Sequence, residues 1–151
     1  MLTDGRVYYG ARDELLQCFN IKDGHGLKSL TRAGVQVAII SGRRSPAVAR
    51  RCRELGIRHV VQGSRDKVLD FRKLATKLAV TAAQCAFVGD DAPDVPLLRE
   101  VGLAFAVADA HASAKAAAHH VTRLGGGCGA VREVCDRLLA ARPGAAHGHG
   151  H

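Results

Sequence analysis

Apolar and polar positions along the chain switch between two patterns. Short apolar runs alternate with longer stretches in which apolar residues return every third or fourth position. Gly5 to Tyr9 and Leu15 to Asn20 read as two strands joined by a polar turn around Arg12 and Asp13, a hairpin. In residues 24–33, Leu27, Leu30 and Ala33 recur at three-residue spacing and predict a short helix stopped by Gly34. Val35 to Ile40 is too apolar to face water on one side and predicts a buried strand. Pro46 opens a helix that Gly56 closes. The cycle then repeats, with strands at His59–Val61, Ala86–Val88, Leu103–Val107 and His120–Thr122. Helices are predicted between and after them, at 66–79, 96–101, 111–118 and 129–141. This alternation predicts an α/β domain over 1–142: a Rossmann-like parallel sheet with helices on both faces and a small hairpin near the N-terminus. From Pro143 periodicity is lost, and the Gly/Ala/His tail 143–151 is expected to be disordered.

Composition narrows the class. With 151 residues, 47% apolar and 24% charged, the chain has the makings of one globular domain rather than a disordered one. No apolar run approaches the ~20 residues of a membrane span, and no signal peptide is expected at the N-terminus. The net charge of +8 suits an anionic partner: nucleic acid, an acidic surface or a phosphorylated small molecule. Only 4% aromatics, no Trp, and basic residues scattered outside Arg50, Arg51 and Arg53 argue against nucleic acid. A plain basic surface is the competing reading. The five cysteines lack CxxC spacing, which points away from a disulfide framework or zinc site and toward reduced thiols in a cytoplasm.

In open α/β sheets, chemistry gathers at the carboxyl ends of the strands. After Ile40 comes Ser41-Gly42-Arg43, a hydroxyl and a tight turn suited to phosphate oxygens. After Val61 comes Gln62 to Lys67, where Lys67 opens a helix. A cation at that end works against the helix dipole unless an anion lies beside it. A solvated surface lysine is the alternative. After Val88 comes Gly89-Asp90-Asp91-Ala92-Pro93-Asp94. Such crowded carboxylates repel one another unless a cation holds them, and hard oxygen ligands suit Mg²⁺. An acidic turn, with Asp94 capping the next helix, is the bland reading.

The order of these pieces resembles motifs two, three and four of the haloacid dehalogenase superfamily. The segments LTDGRVYYG, Phe19 to Gly24, VAIISGRRSPAV, Gly63 to Lys67, FVGDDAPDVPLL, VGLAFAVADAHA and GAVREVC together resemble the cap-less 3-deoxy-D-manno-octulosonate 8-phosphate phosphatases, up to about Ala141. The resemblance implies a Mg²⁺-dependent phosphomonoesterase of lipopolysaccharide precursor synthesis that works through an aspartyl-phosphate. It implies that Asp90 holds Mg²⁺ with Asp91 and Asp94 in support, and that Ser41 and Lys67 hold the phosphoryl group. It places Asn20, Ile21, Lys22, Asp23, Gly24, Lys28, Arg43 and Arg51, with Lys67, on the substrate side. It further implies a small-molecule sugar phosphate as partner and a homotetramer, with the 5–20 hairpin closing a neighbour's site. Relatives acting on nine-carbon sugar phosphates leave the exact sugar open.

Two departures stand out. The family's domain begins with an apolar strand ending in Asp-x-Asp-Gly, which carries the nucleophile and the general acid–base. The sequence matches the family only from the Leu2-Thr3-Asp4-Gly5 that follows it. Asp4 is a different, downstream position. A late start, with Met1 at a position where the family often has valine, is one expectation. The chain as written is then expected to be inactive and to lack the central strand of its sheet. A catalytically silent domain kept for assembly is the alternative. Cys128 stands where the family has arginine, and a thiol lacks that fork of donors. Metal binding by His147, His149 and His151 is a weaker reading than a plain tail.

Overall fold

The computed structural model describes residues 1–10 and 15–142. Two short strands, β1 (Tyr8–Tyr9) and β2 (Leu15–Leu16), pair antiparallel with Tyr8 opposite Leu16. The predicted hairpin is therefore present but shorter, and its turn at Arg12 and Asp13 lies outside the described residues, as does the tail 143–151. Helix α1 (Ile21–Arg32) starts three residues before the predicted position, because the Asn20 side chain accepts from the Lys22 amide and caps it. The early glycines Gly24 and Gly26 weaken helix propensity in sequence, yet both are buried. A Cβ on Gly26 would lie 3.0 Å from Cys135 Cβ, so small residues there let α1 pack closely on α6 (Ala130–Ala140).

The remaining elements follow the predicted order. They are β3 (Ala38–Ser41), α2 (Pro46–Glu54), β4 (His59–Gln62), α3 (Lys67–Lys77) and β5 (Ala86–Gly89). After these come α4 (Val95–Glu100), β6 (Leu103–Ala106), α5 (Ala112–Ala117) and β7 (His120–Val121). Two single-turn 3₁₀ helices, Ala82–Gln84 and Ala92–Asp94, were not legible in the pattern.

The parallel pairing is as predicted, but the sheet is divided. Among the described residues β3 pairs only with β4, in register Ala38 to His59, and β5, β6 and β7 form a separate parallel sheet in that order. The core divides likewise. One cluster gathers Leu97, Leu98, Val101, Ala104, Ala106 and Val107 around α4 and β6. The other gathers Leu27, Leu30, Ile39, Cys52, Leu55 and Cys135. Met1 packs against both. Among the described residues no helix is long and apolar enough to cross a membrane.

Candidate active site

A cleft of about 850 Å³ separates the two half-sheets. Its apolar walls are Ile39 and Ile40 of β3 and Phe87 and Val88 of β5. At the carboxyl ends of these strands it is lined by Ser41, Arg43, Lys67, Asp90, Asp91 and Asp94, which sequence singled out as separate pieces.

Asp94 organises the acidic wall. It is buried, and its Oδ2 accepts the amides of Asp90 at 2.9 Å and Asp91 at 3.3 Å. Its Oδ1 accepts from Lys67 Nζ. Asp94 therefore does not cap α4 with its side chain, which corrects the bland reading; it folds back over its own loop. Gly89 makes this approach feasible, since a Cβ there would lie 2.8 Å from Asp94 Cβ. Lys67 is likewise no solvated surface lysine: its side chain is 18% exposed and paired. The anion expected beside the start of α3 is Asp94, while Asp66 caps that helix by accepting from the Leu69 amide.

Asp90 is differently placed. Burial pushes its carboxyl up, but the Met1 amino nitrogen 2.6 Å from Oδ2 outweighs this, with help from Asp94 and Lys67, and the group lies below the ordinary aspartate value. Asp91 is exposed and accepts from the Ala92 amide at 2.7 Å. Among the described residues no group of three His, Cys, Asp or Glu side chains converges on one metal-sized point. Mg²⁺ does not need such a group, because it takes one or two carboxylates and fills its shell with water and phosphate oxygens. Asp90 lines the cleft at the end of β5 and offers the hard carboxylate oxygens that Mg²⁺ takes.

On the opposite wall Ser41 Oγ accepts the Arg43 amide at 3.2 Å, leaving its hydroxyl proton to donate into the cleft. The β3 and β4 loops are stitched together by Ser64 N–H to Ser41 O at 3.0 Å and Gly63 N–H to Arg43 O at 3.3 Å.

The other residues expected on the substrate side do not line the cleft of a single copy. Asn20 caps α1, Ile21 is 82% exposed, and Lys22 and Lys28 face solvent. Asp23 is buried, with Oδ1 accepting the Arg132 amide at 2.9 Å at the start of α6. Arg51 lies against Gly24, where a Cβ would meet its terminal nitrogen at 2.5 Å, and pairs with Glu54. The expectation that Arg51 faces this cleft is thus corrected: it joins Gly24 on the α1–α2 surface. Sequence reading also passed over Asp109, Arg65 and His111, which line the cleft. Asp109 follows the end of β6, where the strand-end rule would have found it. Its Oδ1 accepts the Gly126 amide at 2.7 Å.

Residues 56–125 match the family model of haloacid dehalogenase-like hydrolases. The chain is 46% identical over 142 residues to the 3-deoxy-D-manno-octulosonate 8-phosphate phosphatase of Escherichia coli K12, spanning 94% of this chain and 76% of that protein. The chain belongs to this phosphatase family. The corresponding phosphatase of Yersinia pestis superposes with a TM-score of 0.91 at 45% identity, covering 93% of this chain and 76% of the other. The phosphatase of Moraxella catarrhalis, solved with magnesium, phosphate and a KDO molecule, gives 0.92 at 39% identity, covering 94% and 82%. The α/β fold with parallel sheets is thus that of the family.

Proposed function

We propose that the cleft is the phosphoryl-binding site of an enzyme that hydrolyses 3-deoxy-D-manno-octulosonate 8-phosphate to the sugar acid and phosphate in the cytoplasm. The single observation that carries this is the convergence of Ser41, Lys67, Asp90 and Asp94 at the carboxyl ends of β3 and β5. Ser41 donates its hydroxyl to one phosphoryl oxygen. Lys67 spends one N–H on Asp94 and has two left for phosphoryl oxygens. Asp94 holds Lys67 and the Asp90–Asp91 backbone in place. Asp90, supported by Asp91, would hold Mg²⁺, which offsets charge on the transferring group.

The nucleophile is the part this sequence does not offer in the family's position. The lining carboxylates are engaged: Asp94 with Lys67, Asp109 with Gly126, Asp91 with Ala92, and Asp4 with the Arg6 amide at 2.9 Å. Turnover by the chain as written is therefore negligible, and an apolar strand ending in Asp-Val-Asp-Gly placed before Met1 restores it. Removing a covalent nucleophile costs on the order of 10⁴–10⁶ in rate.

Asn20, Ile21, Lys22, Lys28 and Arg51 act on the cleft of a neighbouring copy in a tetramer, while the buried Asp23 and Gly24 hold α1 in place beneath them. The exposed Tyr9 (79%), Leu16 (61%) and Ile21 (82%) beside them support a contact surface there. That same surface also suits the second reading, a silent domain kept for assembly.

In the strand-extended chain, Asp90→Asn should raise the Mg²⁺ needed for half-maximal rate, and Lys67→Ala should abolish phosphate release while circular dichroism stays native. Full activity in both variants would refute the assignment.

A further inference from the structure

The backbone of Asp90 is gripped from both sides. Its amide donates to Asp94 Oδ2 at 2.9 Å, inside its own loop. Its carbonyl is taken from outside that loop, by the His111 amide at 2.8 Å. His111 lies between β6 and α5, one residue before the helix. The loop that carries Asp90 is thereby tied to the next strand-to-helix connection. That connection is itself pinned. The Ala108 amide donates to Leu124 O at 3.2 Å, the Ala110 amide to Val107 O at 2.9 Å, and Asp109 Oδ1 accepts the Gly126 amide at 2.7 Å. Ala110 and Ala114 are buried, and α5 packs on α4 and on the 3₁₀ turn Ala92–Asp94.

The His111 side chain fixes this residue on the helix. His111 is the N-cap of α5, with non-helical backbone at φ −58° and ψ 147°. Its ring Nδ1 accepts the Ser113 amide at 3.2 Å and lies 2.8 Å from Ser113 Oγ. A ring nitrogen that accepts an N–H carries no hydrogen, so Nε2 holds the hydrogen of the neutral imidazole. Asp, Asn, Ser and Thr are the preferred N-caps. An aspartate here would add a carboxylate to a cleft already lined by Asp90, Asp91, Asp94 and Asp109, and like charges repel. The imidazole caps α5 without adding negative charge.

We infer that His111 is a positioning residue for the metal carboxylate: by capping α5 it keeps its own amide on the Asp90 carbonyl and so fixes where Asp90 stands at the end of β5. This rests on the proposed phosphatase reading, in which Asp90 takes Mg²⁺. It gives the connection after β6 a part in metal binding.

Two measurements on the chain as written test it. The first needs no metal. In amide hydrogen exchange followed by NMR, the amide of residue 111 should be protected; its protection should fall about tenfold or more in His111→Ala and recover in His111→Asn, which keeps a capping acceptor without the ring. The second is calorimetric titration with Mg²⁺. His111→Ala should weaken binding by about three- to tenfold, the range of one lost cap, and His111→Asn should recover most of it. His119→Ala is the control. Its Nδ1 likewise accepts a backbone amide, that of Ala104 at 2.8 Å, but it stands outside the cleft and should leave Mg²⁺ affinity unchanged. An unprotected amide at residue 111, full Mg²⁺ affinity in His111→Ala, equal losses in His111→Ala and His111→Asn, or an equal loss in His119→Ala overturns the inference. Absence of Mg²⁺ binding by the unmodified chain would instead count against Asp90 as the metal carboxylate, with the exchange measurement still deciding whether His111 holds its loop.

Discussion

In the half built on β5, β6 and β7, Leu97 and Leu98 of α4 and Ala104 and Ala106 of β6 are fully withdrawn from water. In the half built on β3 and β4, the helices flanking β4 in the chain bury far less: α2 buries Cys52 alone and α3 no residue at all. The acidic wall of the cleft therefore stands beside the fully buried residues of β6 and α4, whereas the cationic wall rises beside β4 and α3, which bury no residue completely. Carboxylates that must sit close together need a rigid frame and a fixed counter-charge, which Asp94 and Lys67 supply across the gap.

Core truncations should break this comparison most visibly. Leu98→Ala, on the packed half, should cost about 2–5 kcal/mol in urea unfolding. Val60→Ala in half-buried β4 should cost less than about 2 kcal/mol. Equal losses would show that the halves are packed alike. Next in size is Gly89→Ala, which pushes a methyl to 2.8 Å from Asp94 Cβ. It should destabilise by about 1–3 kcal/mol and weaken Mg²⁺ and phosphate binding together. Unchanged stability and binding would mean that the Asp94 loop shifts freely.

The smallest effect concerns Asp23, which ties α1 to α6. Burial pushes its carboxyl above the ordinary aspartate value of 3.8, against the pull of the Arg132, Gly129 and Val131 amides, and among the described residues its Oδ2 has no hydrogen-bond partner. Such a carboxyl binds its proton more tightly folded than unfolded. The folded state thus loses stability as pH rises from the unfolded value through the raised one, and the loss persists above it. Asp23→Asn should flatten that slope just above pH 3.8. An identical pH profile in the variant would remove Asp23 as its source.

Element order was legible because each apolar run was bounded by glycine, proline or a polar cap. Helix starts were less so: Asn20 caps α1 ahead of two glycines that mask it. The strand-end rule found Ser41, Lys67, Asp90, Asp91 and Asp94, yet it could not say that Asp94 turns back to hold Lys67, because that contact spans 27 positions. Arg51 illustrates the opposite limit. Helical phase decides between Arg50 and Arg51, and correctly leaves Arg50 more exposed, but it does not say which surface Arg51 meets. Arg65 was passed over because a lone basic residue in a loop carries no pattern.

Among the described residues β3 and β5 each leave one edge unpaired, which gives the stability side of the same account. A strand between them would satisfy backbone groups that each cost ~1–3 kcal/mol when buried without a partner. The strand-extended chain should therefore melt higher than the chain as written, and coincident sharp transitions would show that no strand belongs there.

The most direct measurement is phosphate release from 3-deoxy-D-manno-octulosonate 8-phosphate with Mg²⁺, by the chain as written beside the chain extended with the Asp-Val-Asp-Gly strand. The two walls should form a working site only in the extended chain, with a rate difference on the order of 10⁴ or more. Comparable turnover by both would contradict the account and make a carboxylate already in the cleft the nucleophile.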